Sequence, residues 1–94
     1  MPKATLIVRH KEITNDGFVI ELVIWRLTEP IHGCLHPFKY RLFFGTQSGA
    51  CIVRYDNERG KGDHRHIGAG EEPYSFTTVK ALLVDFRRDV KEMG

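Results

Sequence analysis

Two runs of β-forming residues flank a tight-turn signal near the N-terminus, and this feature restricts the fold more than any other. Lys3 to Lys11 (KATLIVRHK) and Phe18 to Thr28 (FVIELVIWRLT) are rich in β-branched residues, as strands are. Asp16-Gly17 lies between them and favours a hairpin turn, because both residues tolerate positive φ. Apolar residues fill nearly every position of the second run, which predicts a central strand covered on both faces, with Trp25 in the core.

A second pair of β-forming runs follows a proline-containing connection. Residues 29–37 (EPIHGCLHP) hold two prolines and a glycine, which indicates a loop. Phe38 to Thr46 (FKYRLFFGT) alternates, so its aromatic residues share one face of a strand while Lys39 and Arg41 point to the other. Ala50 to Asp56 (ACIVRYD) is the fourth predicted strand and completes a second hairpin.

The C-terminal third predicts one long loop and one helix. Asn57 to Tyr74 has four glycines and few apolar residues, which predicts an 18-residue loop, with His64 to Ile67 as an optional fifth strand inside it. Ser75 to Met93 predicts a helix with one apolar stripe, and Thr77 or Thr78 is placed to cap its start. The stripe consists of Val79, Leu82, Leu83, Phe86 and Val90, and the residues expected to face solvent are Lys80, Arg87, Arg88 and Asp89.

Together these elements predict an α+β fold in one domain over residues 1–94. The expected architecture is an antiparallel β meander of four to five strands with one C-terminal helix packed on a face. A chain of 94 residues buries only a modest core, so stabilisation by a partner, including a second copy in a homodimer, stays open. No apolar run approaches the roughly 18 residues of a membrane span. The N-terminus has no secretory signal, so we expect a cytoplasmic protein whose two cysteines stay reduced.

Basic residues are concentrated in the middle of the chain. Residues 39–66 hold six lysines and arginines against three acidic residues, whereas the whole chain has a net charge of only +2. Such an excess is a candidate footprint for a polyanion. An excess of this size also arises by chance on a protein surface, so both interpretations stay open.

The segment KGDHRH, residues 61–66, is the strongest candidate site. On an extended backbone His64 and His66 point the same way, about 6–7 Å apart. Two imidazoles can act together as base and acid near neutral pH. Metal-independent RNA cleavage needs one group to take the proton of the 2′-hydroxyl and another to protonate the leaving 5′-oxygen. It also needs a cation at the phosphate, for which Arg54, Lys61 and Arg65 are candidates.

The same histidines allow two other interpretations. His64 and His66 with Asp56 or Asp63 would supply three ligands of a catalytic metal, although a single H-x-H is a weak metal motif. Alternatively, both histidines are solvated loop residues. Their position in a glycine-bearing segment, directly after a strand and within the basic region, favours a functional role.

Four segments of the chain resemble the TumE-type toxins of bacterial and archaeal type II toxin–antitoxin modules. These are VIWRLTEPIHG, KYRLFF, RYDNERGKGDHRH and EEPYSFTTVKALLVDF, and the similarity runs from about Leu6 to Asp89. The resemblance implies a toxin held inactive by a helix-turn-helix antitoxin, and ribonuclease activity follows by analogy with other small toxins. The matching motif residues are Arg54, Tyr55, Asp56, Asn57, His64, Arg65 and His66.

These observations lead to the hypothesis of a metal-independent ribonuclease toxin without a cofactor. In it, Asp56 orients one histidine and fixes its tautomer, as a carboxylate does in a catalytic triad. The rival hypotheses are a non-catalytic module that binds nucleic acid or protein, and a metal-dependent hydrolase that uses the two histidines. The catalytic candidates are His64, His66, Asp56, Arg54 and Tyr55, and the substrate-binding candidates are Lys61, Arg65, Asn57, Lys39 and Arg41. The expected partners are the antitoxin and RNA, with no membrane.

Overall fold

A six-stranded antiparallel sheet and one C-terminal helix make up the fold. The structure is a computed structural model that describes residues 3–94, so Met1 and Pro2, which begin the domain expected over 1–94, lie outside it. Each strand pairs with its neighbour in sequence, which confirms the meander and the α+β class with six strands instead of four or five. The elements are β1 (Ala4–Ile13), β2 (Phe18–Leu27), β3 (Phe38–Thr46), β4 (Cys51–Glu58), β5 (Gly62–Ile67), β6 (Gly70–Pro73) and α1 (Val79–Met93).

The first hairpin forms as predicted around its Asp-Gly turn. The backbone N–H of Gly17 donates to the Thr14 carbonyl at 2.9 Å, and the N–H of Phe18 donates to Thr14 Oγ1 at 3.1 Å. Gly17 has a φ of 85°, a left-handed conformation that glycine adopts without steric cost. The second predicted hairpin, β3–β4, is confirmed as well.

The expected 18-residue loop is wrong, because most of it forms a third hairpin. β5 pairs with β4, and the short β6 pairs with β5. The fifth strand is thereby confirmed, whereas β6 (GEEP) was not expected, because glycine, glutamate and proline all have low strand propensity. Ion pairs between the two strands, such as that of Arg65 with Glu72, help to hold β6 against β5.

The helix begins later than expected, at Val79 instead of Ser75. Thr78 has extended backbone angles, and its Oγ1 accepts from the backbone N–H of Ala81 at 3.0 Å, which makes it the N-cap. The apolar stripe is confirmed. The solvent position expected for Asp89 is wrong: its side chain is buried beside the stripe, one helical turn after Phe86, and accepts a hydrogen bond from the Tyr55 hydroxyl.

The helix covers one face of the sheet and leaves the other without a covering layer in residues 3–94. The prediction that β2 is covered on both faces is therefore wrong. Its helix-side residues Leu22 and Ile24 are buried, but Trp25 is only half-buried and lies on the opposite face, here called the helix-free face. The fully buried large side chains on the helix side are those of Tyr40, Tyr55, Phe44, Phe86, Ile24, Leu42, Leu82, Val53 and Asn57.

Candidate functional site

Strand pairing gathers the two histidines with charged residues on the helix-free face. One row of paired residues crosses the sheet from Arg41 on β3 through Asp56 on β4 to His64 on β5. The next row runs from Phe43 through Arg54 and His66 to Glu71 on β6. Directly paired side chains in antiparallel strands lie on the same face about 5 Å apart. We call Arg54, Asp56, His64, His66 and Glu71 the histidine cluster.

The His66 ring contacts one arginine and two carboxylates. Arg54 Nη2 lies 3.0 Å from His66 Nε2. A guanidinium only donates hydrogen bonds, so Nε2 is the acceptor in this contact. The other ring nitrogen, Nδ1, faces Glu71 Oε2 at 3.9 Å, while Asp56 Oδ1 lies 3.7 Å from Nε2. His66 is therefore held between a cation and two carboxylates.

His64 has one engaged nitrogen and one without a partner. Its Nδ1 lies 3.3 Å from Glu71 Oε1, and a carboxylate at that distance favours a proton on Nδ1. Its Nε2 is shielded from solvent and has no hydrogen-bond partner in residues 3–94. With the proton on Nδ1, the lone pair of Nε2 is free to accept another proton.

The unsatisfied buried polar atoms of the described chain all belong to this cluster. Within residues 3–94, the buried side-chain nitrogen and oxygen atoms that lack a hydrogen-bond partner are Arg54 Nε, Asp56 Oδ1 and His64 Nε2. The 3.2 Å ion pair between Arg54 Nε and Asp56 Oδ2 is not aligned as a hydrogen bond. Leaving a buried polar group unpaired costs about 1–3 kcal/mol, so three in one place favour a functional site over a solvated loop.

Three sequence candidates lie on the opposite, helix-side face, because side chains alternate along a strand. The Tyr55 hydroxyl donates to Asp89, and burial followed by this bond raises the pKa of Tyr55 to about 12. Asn57 is fully buried, and its Oδ1 accepts from the backbone N–H of Tyr40 at 3.1 Å. Arg65 reaches Asp89 at 3.4 Å. All three support the sheet from behind the cluster.

The remaining cationic candidates divide between the helix-free face and the rim of the sheet. The Arg41 guanidinium is exposed and lies 5.0 Å from the centre of the Phe43 ring. The Lys39 ammonium donates to the backbone carbonyl of Asn57. Lys61 is exposed in the β4–β5 turn, where its Nζ lies 3.8 Å from Glu58 Oε2. Lys39 and Arg41 therefore share the face of the histidines, and Lys61 marks its edge.

Sequence reasoning missed Glu71, which contacts both histidines. The role of orienting carboxylate was assigned to Asp56, because Glu71 was expected in an irregular loop. The signal that would have found it is the two-residue turn Gly68-Ala69, which sets a hairpin register that pairs His66 with Glu71. Glu71 thus reaches the two histidines only through the pairing of β5 with β6.

A second group of polar side chains lies on the helix side of β5. In residues 3–94, Cys34, His36 and Asp63 are the side chains whose potential metal-ligating atoms all lie within 4.8 Å of one another. His36 Nε2 lies 2.8 Å from Asp63 Oδ1, and its Nδ1 accepts from the backbone N–H of Phe38. A metal bound at His36 Nε2 would place the ring proton on Nδ1. That proton would face the backbone N–H of Phe38, which donates to the same nitrogen. Burial raises the pKa of the Cys34 thiol, which also disfavours metal binding.

That arrangement also bears on the metal-dependent alternative. Asp63 lies on the opposite face of β5 from the histidine pair, because it precedes His64 by one residue. The set His64, His66 and Asp63 therefore does not converge on one point. Asp56 remains the carboxylate that shares a face with both histidines.

Comparison with known proteins identifies one family. The family model described as Toxin TumE matches residues 3–93, nearly the whole chain, and confirms the resemblance of the four segments. No curated protein and no solved structure matches significantly. The helix described within residues 3–94 is too short and too polar to cross a membrane.

Proposed function

Because the chain belongs to the TumE family of toxins, we propose that it is the toxin of a type II toxin–antitoxin module and cleaves RNA without a metal ion. The single observation that supports this most is the unpartnered, shielded Nε2 of His64 on the same face as His66 and Arg54. It provides a base, a second imidazole and a cation at one place on the sheet.

In the proposed reaction the two histidines move one proton each. The His64 ring turns outwards to expose its shielded Nε2, which takes the proton of the 2′-hydroxyl, and the 2′-oxygen attacks the adjacent phosphorus. His66 has first taken up a proton from solvent at Nε2. The bond from phosphorus to the 5′-oxygen breaks, and His66 gives this proton to that oxygen. The products are a 2′,3′-cyclic phosphate and a 5′-hydroxyl end. When His66 is protonated, Arg54 can no longer donate to it, which frees the guanidinium to stabilise the phosphate.

The other candidates take supporting roles in this proposal. Asp56 holds Arg54, and Glu71 orients both rings. Lys39 and Arg41 contact the RNA along the helix-free face, and Lys61 does so at its edge. Tyr55, Asn57 and Arg65 act through the sheet by fixing the backbone of β4 and β5, so we treat them as positioning residues.

The partners follow from the same proposal. We propose that a helix-turn-helix antitoxin covers the helix-free face and that both proteins act in the cytoplasm, where RNA is available and the free thiols Cys34 and Cys51 stay reduced.

A homodimer is proposed through β1, which pairs only with β2 among the described residues and exposes Leu6, Ile7 and Ile13. Light scattering of the purified chain measures whether it dimerises.

The experiment that tests the activity compares single histidine variants in a bacterial host. Wild type, His64→Ala, His66→Ala and the control His10→Ala are expressed, and growth and total RNA integrity are followed. His10 is an exposed histidine on β1, away from the cluster. Wild type and the control should arrest growth and fragment RNA. The two cluster variants should do neither while keeping the same thermal unfolding curve.

Two results would contradict the proposal in different ways. Growth arrest with intact RNA by well-folded cluster variants would indicate a non-catalytic module that acts by binding. Cleavage by purified wild type that stops with a chelator and returns with Zn²⁺ would indicate the metal-dependent hydrolase. Cleavage that continues unchanged in the chelator is the result we expect.

A further inference from the structure

We propose that a cavity beside the histidine cluster binds a guanine base of the RNA substrate. The cavity has a volume of about 470 Å³, within the usual range for small-molecule sites. It lies on the helix-free face where β2, β3 and β4 run side by side. The residues that matter for binding are Trp25, Lys39, Arg41, Asp56 and Glu58. The assignment of RNA as the ligand's source rests on the proposed function, whereas binding of a guanine nucleotide does not.

The position of the cavity connects it to the histidines. Asp56 lines the cavity and also belongs to the histidine cluster. Arg41 on β3 and His64 on β5 lie at either end of one row, separated by two strand spacings, or about 10 Å. A base in the cavity therefore places the phosphate of its own nucleotide near the two imidazoles.

The apolar side of the cavity suits a flat aromatic ring. Trp25 is half-buried on the helix-free face, opposite Lys39 in the β2–β3 pairing, and Val23 lies two residues before it on the same face. A tryptophan in the apolar core would have no access to a ligand, but this one borders an open cavity. Aromatic side chains in such positions stack on nucleobases.

The polar groups select among the four bases. The Glu58 side chain is about half exposed, and its contact with Lys61 is a weak one at 3.8 Å. Its carboxylate can accept from N1–H and the N2 amino group of guanine together, two neighbouring donors that the other bases lack. Arg41 can donate to guanine O6 and N7, as arginine does in nucleic-acid recognition. Adenine and cytosine present an unprotonated ring nitrogen beside their amino group, which a carboxylate repels.

Trp25 is the single tryptophan of the chain, so its fluorescence reports directly on this cavity. The test titrates the 3′-monophosphates of guanosine, adenosine, cytidine and uridine into purified wild-type protein and follows the tryptophan emission. We expect saturable quenching by the guanosine nucleotide with an affinity at least tenfold above the other three. Glu58→Gln should remove that preference. Glu92→Gln, an exposed glutamate near the end of α1, should keep it.

Two outcomes would overturn the inference: no saturable change with any nucleotide, or equal affinities for all four. The same proteins are then given oligoribonucleotides with a single guanosine, to separate this inference from the ribonuclease proposal. Selective quenching without RNA cleavage would support the guanine site and contradict the ribonuclease. Cleavage at all four bases that Glu58→Gln leaves unchanged would support the ribonuclease and overturn the guanine site.

Discussion

At the scale of single residues, the alternation along β4 decides which side chains belong to the histidine cluster. Arg54 and Asp56 point to the helix-free face, and Tyr55 and Asn57 point to the core. A strand over Ala50 to Asp56 was expected from the sequence, and the two-residue period of a strand accounts for this alternation. It did not reveal which face α1 covers, so residues of one motif were assigned to one site although they serve two faces.

Glu71→Gln tests whether the carboxylate on β6 orients the histidines. The change removes the charge that faces Nδ1 of both rings but keeps the size of the side chain. We expect RNA cleavage to fall about tenfold or more, as the loss of an oriented charged contact worth about 1.5 kcal/mol predicts. Cleavage of an oligoribonucleotide by purified protein measures it.

Glu72→Gln is the matched control, because Glu72 lies on the same strand but its carboxylate contacts Arg65 on the helix side. It should change the cleavage rate much less. An equal loss in both variants would mean that the charge of β6 matters only through hairpin stability.

Tyr55 predicts how stability depends on pH in alkaline solution. Its pKa rises from 10.0 to about 12 in the folded chain, first through burial and then through the bond to Asp89. The unfolded chain loses this proton first, so the stabilisation is complete below about pH 10 and is lost as pH rises towards 12. The free energy of unfolding in urea should therefore fall over this window.

In Tyr55→Phe the free energy of unfolding should fall less steeply with pH, because one titrating hydroxyl, which contributes up to one proton to the slope, is removed. The variant should also be less stable overall, because Asp89 loses a donor. Tyr40 and Tyr74, whose hydroxyls also have a raised pKa, keep the remaining slope. A slope identical to that of wild type would contradict the assignment to Tyr55.

At the scale of elements, the sequence predicted the strands and the helix that have strong residue patterns. It did not predict β6, which is held by its pairing with β5. β1 to β4 follow from runs of β-forming residues bounded by turn signals, and the apolar stripe of α1 follows from its helical period. β6 has no such pattern, and its pairing with β5 depends on side chains of the neighbouring strand, which local propensity does not represent. Because β6 carries Glu71, the predicted site also lacked this residue.

The start of α1 provides a matched pair of threonines. Thr78→Ala removes the side chain that accepts from the Ala81 N–H and should destabilise the protein by about 1 kcal/mol. Thr77→Ala, one residue earlier and also exposed, should have little effect. Urea unfolding of both variants measures the difference, and equal losses would contradict the assignment of Thr78 as the cap.

At the scale of the whole molecule, the residues that form the core and the residues of the candidate site lie on opposite faces of the sheet. One face carries the core under α1, and the other carries the histidine cluster and the cavity. The basic residues on the helix-free face are Arg9, Lys11, Lys39, Arg41 and Arg54, and the acidic ones are Glu21, Asp56, Glu58 and Glu71. The near balance of charge means that this face is no extended basic surface, which net charge over a sequence window could not show.

This balance predicts a weak salt dependence of RNA binding. If about three cations contact phosphates of single-stranded RNA, the affinity should fall with a log–log slope of about −2 as salt increases. Fluorescence anisotropy of a labelled oligoribonucleotide with the His64→Ala/His66→Ala protein, which does not cleave in the proposed mechanism, measures the slope. A slope steeper than about −5 would indicate a large polyanion-binding surface and favour the non-catalytic binding module.

The pairing of every strand with its sequence neighbour affects how this protein folds during translation. The sheet grows in the order of translation, and such local connections favour rapid folding. The histidines arrive on the fifth strand, Glu71 on the sixth, and the core closes only when Leu82 and Phe86 emerge with the last element. An interrupted nascent chain therefore lacks the packed core that holds the cluster in place. The assembled site is therefore present only after α1 has been translated.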